Sequence, residues 1–140
     1  MKLVIDTNVI VAAFLSRSGA SNALPRLGEA GRFRILVSTA LFLEYEAVLM
    51  RASIREATRH DAEDVAEILA ALAAIAIGVD TPFRTRPTLR DPNDEMVLEA
   101  AVNGGASAIV THNLRDFAQA AAWRIDVASP AKILRRPRDV

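Results

Sequence analysis

The sequence predicts an α/β fold with a parallel sheet that helices cover on both faces. Short apolar runs alternate with longer helix-compatible segments along the chain, which is the pattern of repeated strand–helix–strand units. The first run, residues 3–5, is continuously apolar, as in a strand that is buried on both faces. The chain has 140 residues and shows no repeat or dividing linker, so we expect a single domain over residues 1–140.

Strands and helices are predicted in alternation. The strands are predicted at residues 2–6, 33–37, 76–79, 106–111 and 123–127. The helices are predicted at residues 8–15, 21–30, 39–51, 61–76, 91–103 and from 129 onward. Loops are predicted at residues 16–20 and 80–90, and a flexible basic tail at residues 134–140.

Start and stop signals support the helices. Asp6, or the threonine after it, can cap the first helix, and Ser38, or the threonine after it, can cap the helix that follows the second strand. The helix over 61–76 carries acidic residues in its first turns, where the helix dipole favours them. Asp91 and the proline after it start the next helix, and the glycine pair at Gly104 ends it.

The composition narrows the function classes. The 17 basic and 17 acidic residues cancel, so any nucleic-acid contact must come from a local basic patch or from metal ions. The chain has no cysteine, which excludes disulfides, thiolate metal sites and cysteine nucleophiles. No apolar run approaches the length of about 20 residues that a membrane span needs, and no signal peptide is evident. We therefore expect a soluble, cytoplasmic protein without a membrane partner.

Acidic residues occupy positions where apolar residues are expected. On the helix that starts at Asp91, the apolar stripe extends back onto Asp94, which therefore faces inward. On the helix over 39–51, Glu44 lies on an apolar stripe, but Glu46 is also flanked by apolar residues, and the periodicity does not choose between them. A capping or solvent-exposed role is the alternative for each of these acids.

Two further acids follow strand ends. Asp6 ends the first strand and Asp116 follows the fourth within a few residues, and capping is again the alternative for both. Because ligands bind at the carboxyl ends of the strands in such sheets, we expect Asp6, Asp94 and Asp116 to gather at that edge, with Glu44 in reach. Like charges this close cannot all ionise unaided, whereas a bound Mg²⁺ or Mn²⁺ ion removes the conflict. Such an ion can activate water for attack on a phosphate.

These residues resemble the motifs of the PIN-domain nucleases. Residues 4–9, Val-Ile-Asp-Thr-Asn-Val, are similar to the opening of that family. The other matching features follow in the family's order: Ser38 with Glu44, residues 94–101, residues 108–111, Asn113 and residues 116–117. Together they resemble the toxin-like branch of the family, the VapC-type ribonucleases of toxin–antitoxin pairs.

The resemblance implies a three-layer α/β/α fold with a five-stranded parallel sheet, and Mg²⁺- or Mn²⁺-dependent endonuclease activity on RNA. The implied catalytic acids are Asp6, Glu44, Asp94 and Asp116, of which Asp6, Asp94 and Asp116 are the implied metal ligands. The supporting polar residues would be Thr7, Asn8, Ser38, Asp91, Thr111 and Asn113. Many relatives carry an acid at the position of Asn113, so this departure bears on whether the site holds one metal ion or two.

The role implied by the resemblance is that of a toxin that a small antitoxin neutralises. The implied substrate is RNA, with tRNA as a candidate, and the implied assembly is a homodimer. Arg84, Arg86 and Arg90 lie in the loop before Asp91 and could hold the RNA backbone, and a solvated loop is the alternative. The arginines of the basic tail offer the same two alternatives.

Two rival functions stay open at this point. The first is a phosphoacceptor receiver domain, which shares the alternating layout and would use Asp6, Asp80, Thr111 and Lys132. That alternative leaves the other strand-end acids unexplained. The second is a PIN-like domain that has lost activity and serves as a binding module, and Asn113 is the residue that favours it.

Overall fold

The structure is a computed structural model that describes residues 1–15 and 33–135. Its strands are β1 (Lys2–Ile5), β2 (Arg34–Ser38), β3 (Ile77–Val79), β4 (Ala108–Val110) and β5 (Asp126–Ala128). Its helices are α1 (Thr7–Leu15), α2 (Thr39–Leu49), α3 (Ala52–Thr58), α4 (Ala62–Ile75), α5 (Pro92–Gly104) and α6 (Pro130–Leu134), and a 3₁₀ segment covers Leu114–Trp123. The predicted loop at 16–20, the predicted helix at 21–30 and residues 136–140 of the predicted tail lie outside the described residues.

The five strands form one parallel sheet in the order β3-β2-β1-β4-β5. This confirms the predicted sheet. The central strand β1 pairs with β2 on one side and with β4 on the other, so that Val4 lies between Leu36 and Ile109. A receiver domain places its first strand between the second and the third, so the observed order excludes that rival. Because β1 and β4 are neighbours, the residues that follow these two strands meet at one edge.

The sheet is buried on both faces. Three consecutive residues of β1, Leu3 to Ile5, are fully buried, and so are the three residues of β4. Successive side chains of a strand point to opposite faces, so complete burial of consecutive residues requires a layer on each side. Helix α5 packs against β1 to β4, and α2 packs against β2. These contacts fit the three-layer architecture that the sequence predicts.

Two elements differ from the sequence predictions. Helix α3 was not predicted, because its start lacks a local signal: Arg51 precedes it without a side-chain capping bond. The fifth strand was predicted at 123–127 but lies at Asp126–Ala128, because Trp123 ends the 3₁₀ segment and does not join the sheet. No helix in the described ranges combines the length and the apolar character that crossing a membrane demands.

Candidate active site

Asp6 lies at the centre of the carboxyl edge of the sheet. Its backbone N–H donates to the carbonyl oxygen of Val110 at 2.9 Å, which continues the β1–β4 ladder past the end of β1. Its Oδ1 accepts a 2.8 Å hydrogen bond from the backbone N–H of Thr7, and its Oδ2 accepts one of 2.8 Å from the hydroxyl of Thr111. Only 7% of Asp6 is exposed. Two hydrogen bonds therefore fix the direction of this buried carboxylate, and a third holds its backbone.

The turn after β4 is tied to the start of α1. Thr111 is fully buried, and its Oγ1 accepts a 3.0 Å hydrogen bond from the backbone N–H of Asn113. The side chain of Asn8 accepts a 3.4 Å hydrogen bond from the backbone N–H of His112. Asn8 and Thr111 thus hold the two strand ends together, whereas Asn113 contributes a backbone group and has an exposed side chain.

Asp94 lies in the first turn of α5, and its charge is coupled to Asp6 and Asp116. Burial raises the pKa of Asp94 to about 6, and the charges of Asp6, Asp91, Asp116 and Glu95 add to the rise. These effects on Asp94 require Asp6 and Asp116 to lie near it, because the interaction of unit charges falls with distance. We call Asp6, Asp94 and Asp116 the carboxylate cluster.

The same electrostatics act on Asp6. Burial raises its pKa, and the charge of Asp116 adds to that effect. The hydrogen bonds from Thr111 and Thr7 and the charge of His112 oppose it without cancelling it. The cluster therefore holds more negative charge than its surroundings stabilise. That is the condition in which a carboxylate site gains from a cation.

Glu44 faces a groove beside the cluster. A groove of about 350 Å³ between α1 and α2 is lined by Thr7, Asn8, Glu44 and Arg51 together with apolar side chains. Glu44 is half-buried, whereas Glu46 is exposed, so the structure separates two acids that the periodicity could not. Glu44 therefore lies in the same groove as Thr7 and Asn8, the two residues that follow Asp6.

Other residues of the predicted site have structural partners. Ser38 is buried and caps α2, with its Oγ accepting from the N–H of Leu41 at 3.1 Å. Asp91 caps α5, with its Oδ1 accepting from the N–H of Asn93 at 2.9 Å.

The arginines of the predicted RNA-binding loop differ in their contacts. Arg86 Nε lies 2.6 Å from Oε1 of Glu99, and Arg84 Nη1 lies 3.5 Å from Oε2 of the same residue. The side chain of Arg84 is 69% exposed and that of Arg86 is 44% exposed. Arg90 is exposed beside the start of α5. All three therefore combine an accessible charge with a position in the loop before Asp91.

Two buried polar residues near the cluster were not singled out from the sequence. The hydroxyl of Tyr45 donates to the carbonyl oxygen of Ile5, the last residue before Asp6. Glu95 is 2% exposed and accepts three hydrogen bonds from the preceding loop. Burial raises its pKa, but these bonds and the charge of Arg86 outweigh the burial and hold the pKa below its ordinary value. The spacing of Glu95, Glu99 and Asn103 was a signal that could have revealed this second polar face of α5.

The donor set determines what the cluster can bind. Its atoms are carboxylate oxygens, which hard divalent cations such as Mg²⁺ prefer. Among the described residues, no three His, Cys, Asp or Glu side chains are placed so that they could hold a metal ion by themselves. Mg²⁺ usually binds through one or two carboxylates and keeps several waters, so the chemistry of these donors suits it without a complete protein cage.

Known proteins resemble the chain in fold. One chain of the VapBC-1 structure from nontypeable Haemophilus influenzae aligns with TM-score 0.65 and 15% identity, covering 94% of this chain and 99% of that chain. A chain of VapBC2 from Rickettsia felis, solved bound to a DNA fragment from their promoter, aligns with TM-score 0.61 and 17% identity, covering 91% and 97%. A chain of FitAcB from Neisseria gonorrhoeae aligns with TM-score 0.55 and 18% identity, covering 92% and 98%.

No curated protein matches the chain. A family model described as PIN domain matches residues 2–115, which include β1 to β4 and every member of the carboxylate cluster except Asp116. Since this match spans well over half of the sequence, the chain belongs to the PIN domain family.

Proposed function

We propose that the protein is a metal-dependent endoribonuclease and the toxin of a toxin–antitoxin pair. The observation that carries the proposal is the carboxylate cluster itself: burial raises the pKa of Asp6 and of Asp94, and the charges of neighbouring carboxylates add to the rise. Carboxylates with raised pKa values at the carboxyl edge of a parallel sheet are typical of a site that binds a cation and a substrate. Membership of the PIN domain family supports the nuclease assignment.

The metal would be Mg²⁺ or Mn²⁺, bound directly by Asp6, with Asp94 and Asp116 completing the site directly or through coordinated water. Asp6 is the best prepared ligand, because its carboxylate direction is already fixed by Thr7 and Thr111. When bound, such an ion supplies charge neutralisation at the phosphate and lowers the pKa of a coordinated water. The number of bound ions, one or two, depends on the groups around Asn113. This residue has an uncharged amide side chain where many relatives have a carboxylate.

The protein's own groups would do the remaining work on the phosphodiester. Thr7, Asn8 and Thr111 hold the carboxylate and the adjacent backbone in place for the scissile phosphate. Glu44, at the rim of the adjoining groove, would orient the attacking water. The water oxygen bonds to phosphorus, the bond from phosphorus to the 3′ oxygen breaks, and that oxygen gains a proton. The products are a 5′-phosphate and a 3′-hydroxyl.

The RNA backbone would be held by arginines of the loop before α5. Arg90 is the foremost candidate because it is exposed and close to Asp91, the N-cap of the helix that carries Asp94. Arg84 and Arg86 remain candidates, because more than a third of each side chain is exposed despite the contacts with Glu99. Neutralising the phosphates by arginine would make binding weaken with rising salt.

The toxin assignment and its partners follow from the resemblance to VapC-type proteins and from the fold shared with VapBC-1 and VapBC2. The proposed partners are a small antitoxin and a second copy of the chain in a homodimer. A cytoplasmic location is part of the same proposal, since RNA is the substrate.

The decisive experiment is a cleavage assay on tRNA and other structured RNA with Mg²⁺ or Mn²⁺. Wild-type protein should cleave only with metal, and Asp6→Asn should lose activity while keeping its fold. Glu46→Gln, a change at an exposed position of α2, is the control and should cleave like wild type. Absence of cleavage by the wild type with either metal would favour the inactive binding module, and cleavage by Asp6→Asn would overturn the assignment of the site.

A further inference from the structure

Glu95 ties the start of α5 to the loop before it. Its Oε1 accepts 2.6 Å hydrogen bonds from the backbone N–H groups of Thr88 and Leu89, and its Oε2 accepts a 2.9 Å bond from the hydroxyl of Thr85. Glu95, Thr85 and Leu89 are all buried. The Glu95 carboxylate therefore accepts from the backbone N–H groups of Thr88 and Leu89, which would otherwise lack this hydrogen-bond partner.

The same loop is held at two further turns of α5. Glu99 contacts Arg86 and Arg84, and the side chain of Asn103 exchanges hydrogen bonds of 3.1 and 2.9 Å with the backbone of Phe83. The loop thus runs back along the helix, with the Glu95 attachment nearest to the carboxylate cluster. The three attachments act on different parts of the helix, which makes their effects separable.

The first turn of α5 needs an external attachment more than the rest of the helix. Leu98 and Ala101 are fully buried and fix the middle of the helix in the core. Asp94, in contrast, is held within its own turn by the bond from its N–H to the carbonyl of Asp91 at 3.0 Å. Asp91 accepts from the amides of Asn93 and Asp94, but these bonds stay within the same turn, and helix ends fray. The Glu95 attachment joins this turn to a buried part of the loop.

We propose that Glu95 is a positioning residue: its hydrogen bonds to residues 85–89 fix the first turn of α5, and so fix Asp94 relative to Asp6. The proposal rests on the proposed function in taking Asp94 as a metal ligand. Outer partners that orient metal ligands typically change metal affinity by about 10- to 100-fold when they are removed. Glu95 acts through the backbone of Asp94, so we expect an effect near the lower end of this range.

Glu95→Ala and Glu95→Gln separate hydrogen bonding from charge. The side-chain oxygen of a glutamine at position 95 can still accept from the two backbone N–H groups. Its NH₂ group can donate to the hydroxyl oxygen of Thr85, which is able to accept. Glu95→Ala should weaken Mn²⁺ binding, measured by calorimetry with Mn²⁺ alone, by about tenfold. Glu95→Gln should bind Mn²⁺ within about twofold of wild type. A comparable loss in both variants would mean that the charge of Glu95 is what matters, and would overturn the positioning role.

Glu99→Ala is the matched control, because Glu99 is equally buried and holds the same loop one turn further along α5. It should lower the melting temperature and leave Mn²⁺ affinity unchanged. If Glu99→Ala weakens Mn²⁺ binding as much as Glu95→Ala, loss of stability explains both, and the proposal fails. Should Glu95→Ala not fold, Thr85→Val removes only the side-chain donor and should weaken Mn²⁺ binding by about threefold, while unchanged affinity overturns the proposal.

Hydrogen exchange tests the position of the turn without any metal. The amides of Asn93 and Asp94 should exchange faster in Glu95→Ala than in wild type, and at the wild-type rate in Glu99→Ala. Unchanged exchange in Glu95→Ala would overturn the proposal even if the metal site is real. Failure of wild-type protein to bind Mn²⁺, with faster exchange in Glu95→Ala, would instead overturn the metal assignment and leave the positioning of Asp94 supported.

Discussion

The hydroxyl of Thr111 donates a 2.8 Å hydrogen bond to Oδ2 of Asp6, and both residues are buried. This contact joins the ends of β1 and β4, which are neighbours in the sheet although 105 positions separate the two residues. The same oxygen of Thr111 accepts from the backbone N–H of Asn113 at 3.0 Å. One side chain thus orients the central carboxylate and shapes the turn that leads to Asp116.

Replacing Thr111 by valine should damage both stability and activity. Thr111→Val removes both hydrogen bonds at nearly constant volume and leaves a buried carboxylate oxygen without its donor. We expect a loss of about 1–3 kcal/mol in the free energy of unfolding, measured by urea denaturation. With Asp6 as the proposed metal ligand, RNA cleavage should fall by about 10- to 100-fold, the usual effect of removing a partner that orients a ligand. Thr111→Ser keeps the hydroxyl and should retain both properties, so equal losses in the two variants would contradict the hydrogen-bond role.

Tyr45 supports the same strand end from the other side. Its hydroxyl donates to the carbonyl of Ile5, and the side chain is fully buried. Tyr45→Phe keeps the packing but removes the hydroxyl that donates to this buried carbonyl, and should cost about 1–2 kcal/mol in urea denaturation. Glu46→Gln, on the exposed face of the same helix, should stay within about 0.5 kcal/mol of wild type. If Tyr45→Phe matched that control, the hydroxyl would have no measurable part in holding the end of β1.

Close packing at the end of α5 gives a prediction about a glycine. A Cβ atom on Gly104 would lie 2.6 Å from Cδ1 of Leu36 and 3.1 Å from Cγ2 of Val79. Gly104→Ala should therefore force repacking and cost about 1–3 kcal/mol in the free energy of unfolding, measured by urea denaturation. A Cβ atom on Gly78 of β3 would meet no atom within 4 Å, so Gly78→Ala should be neutral or slightly stabilising. Equal effects of the two changes would contradict the close approach at Gly104.

The fold was predictable because its signals are local. The apolar runs, the capping residues and the glycine stop of α5 each depend on a few adjacent positions, and the five-stranded parallel sheet follows from their alternation. The place of Asp6 at the end of β1 was predictable for the same reason, since the end of a buried strand is visible in the sequence. The contact between Asp6 and Thr111 could be predicted only once β1 and β4 were known to pair.

The spacing of Glu95, Glu99 and Asn103 indicates a polar face of α5, but the burial and the contacts of that face were not predictable from the sequence. Glu95 has the sequence signature of an ordinary first-turn acid, and its burial depends on donors at Thr85, Thr88 and Leu89 in a loop without periodicity. The choice between Glu44 and Glu46 likewise depends on where α2 lies against α1, because both faces of α2 are apolar in sequence. In each case the deciding contact is between segments whose relative placement the sequence pattern does not contain.

The raised pKa of Asp94 predicts how the metal-free protein responds to pH. Its folded-state pKa of about 6 exceeds the ordinary value of 3.8, so the folded state binds this proton more tightly than the unfolded state. Asp94 therefore favours folding less and less as pH rises through the interval between these two values.

Asp94→Asn removes this effect. In the presence of a chelator, the free energy of unfolding of the variant should match that of wild type near pH 4. At pH 7 it should exceed the wild-type value by on the order of 1 kcal/mol, allowing for screening by solvent. Thermal unfolding measures the difference, and addition of Mg²⁺ at pH 7 should raise the melting temperature of wild type but not of the variant. A gain in Asp94→Asn that is equally large at pH 4 would show that the aspartate is unfavourable for a reason other than its charge.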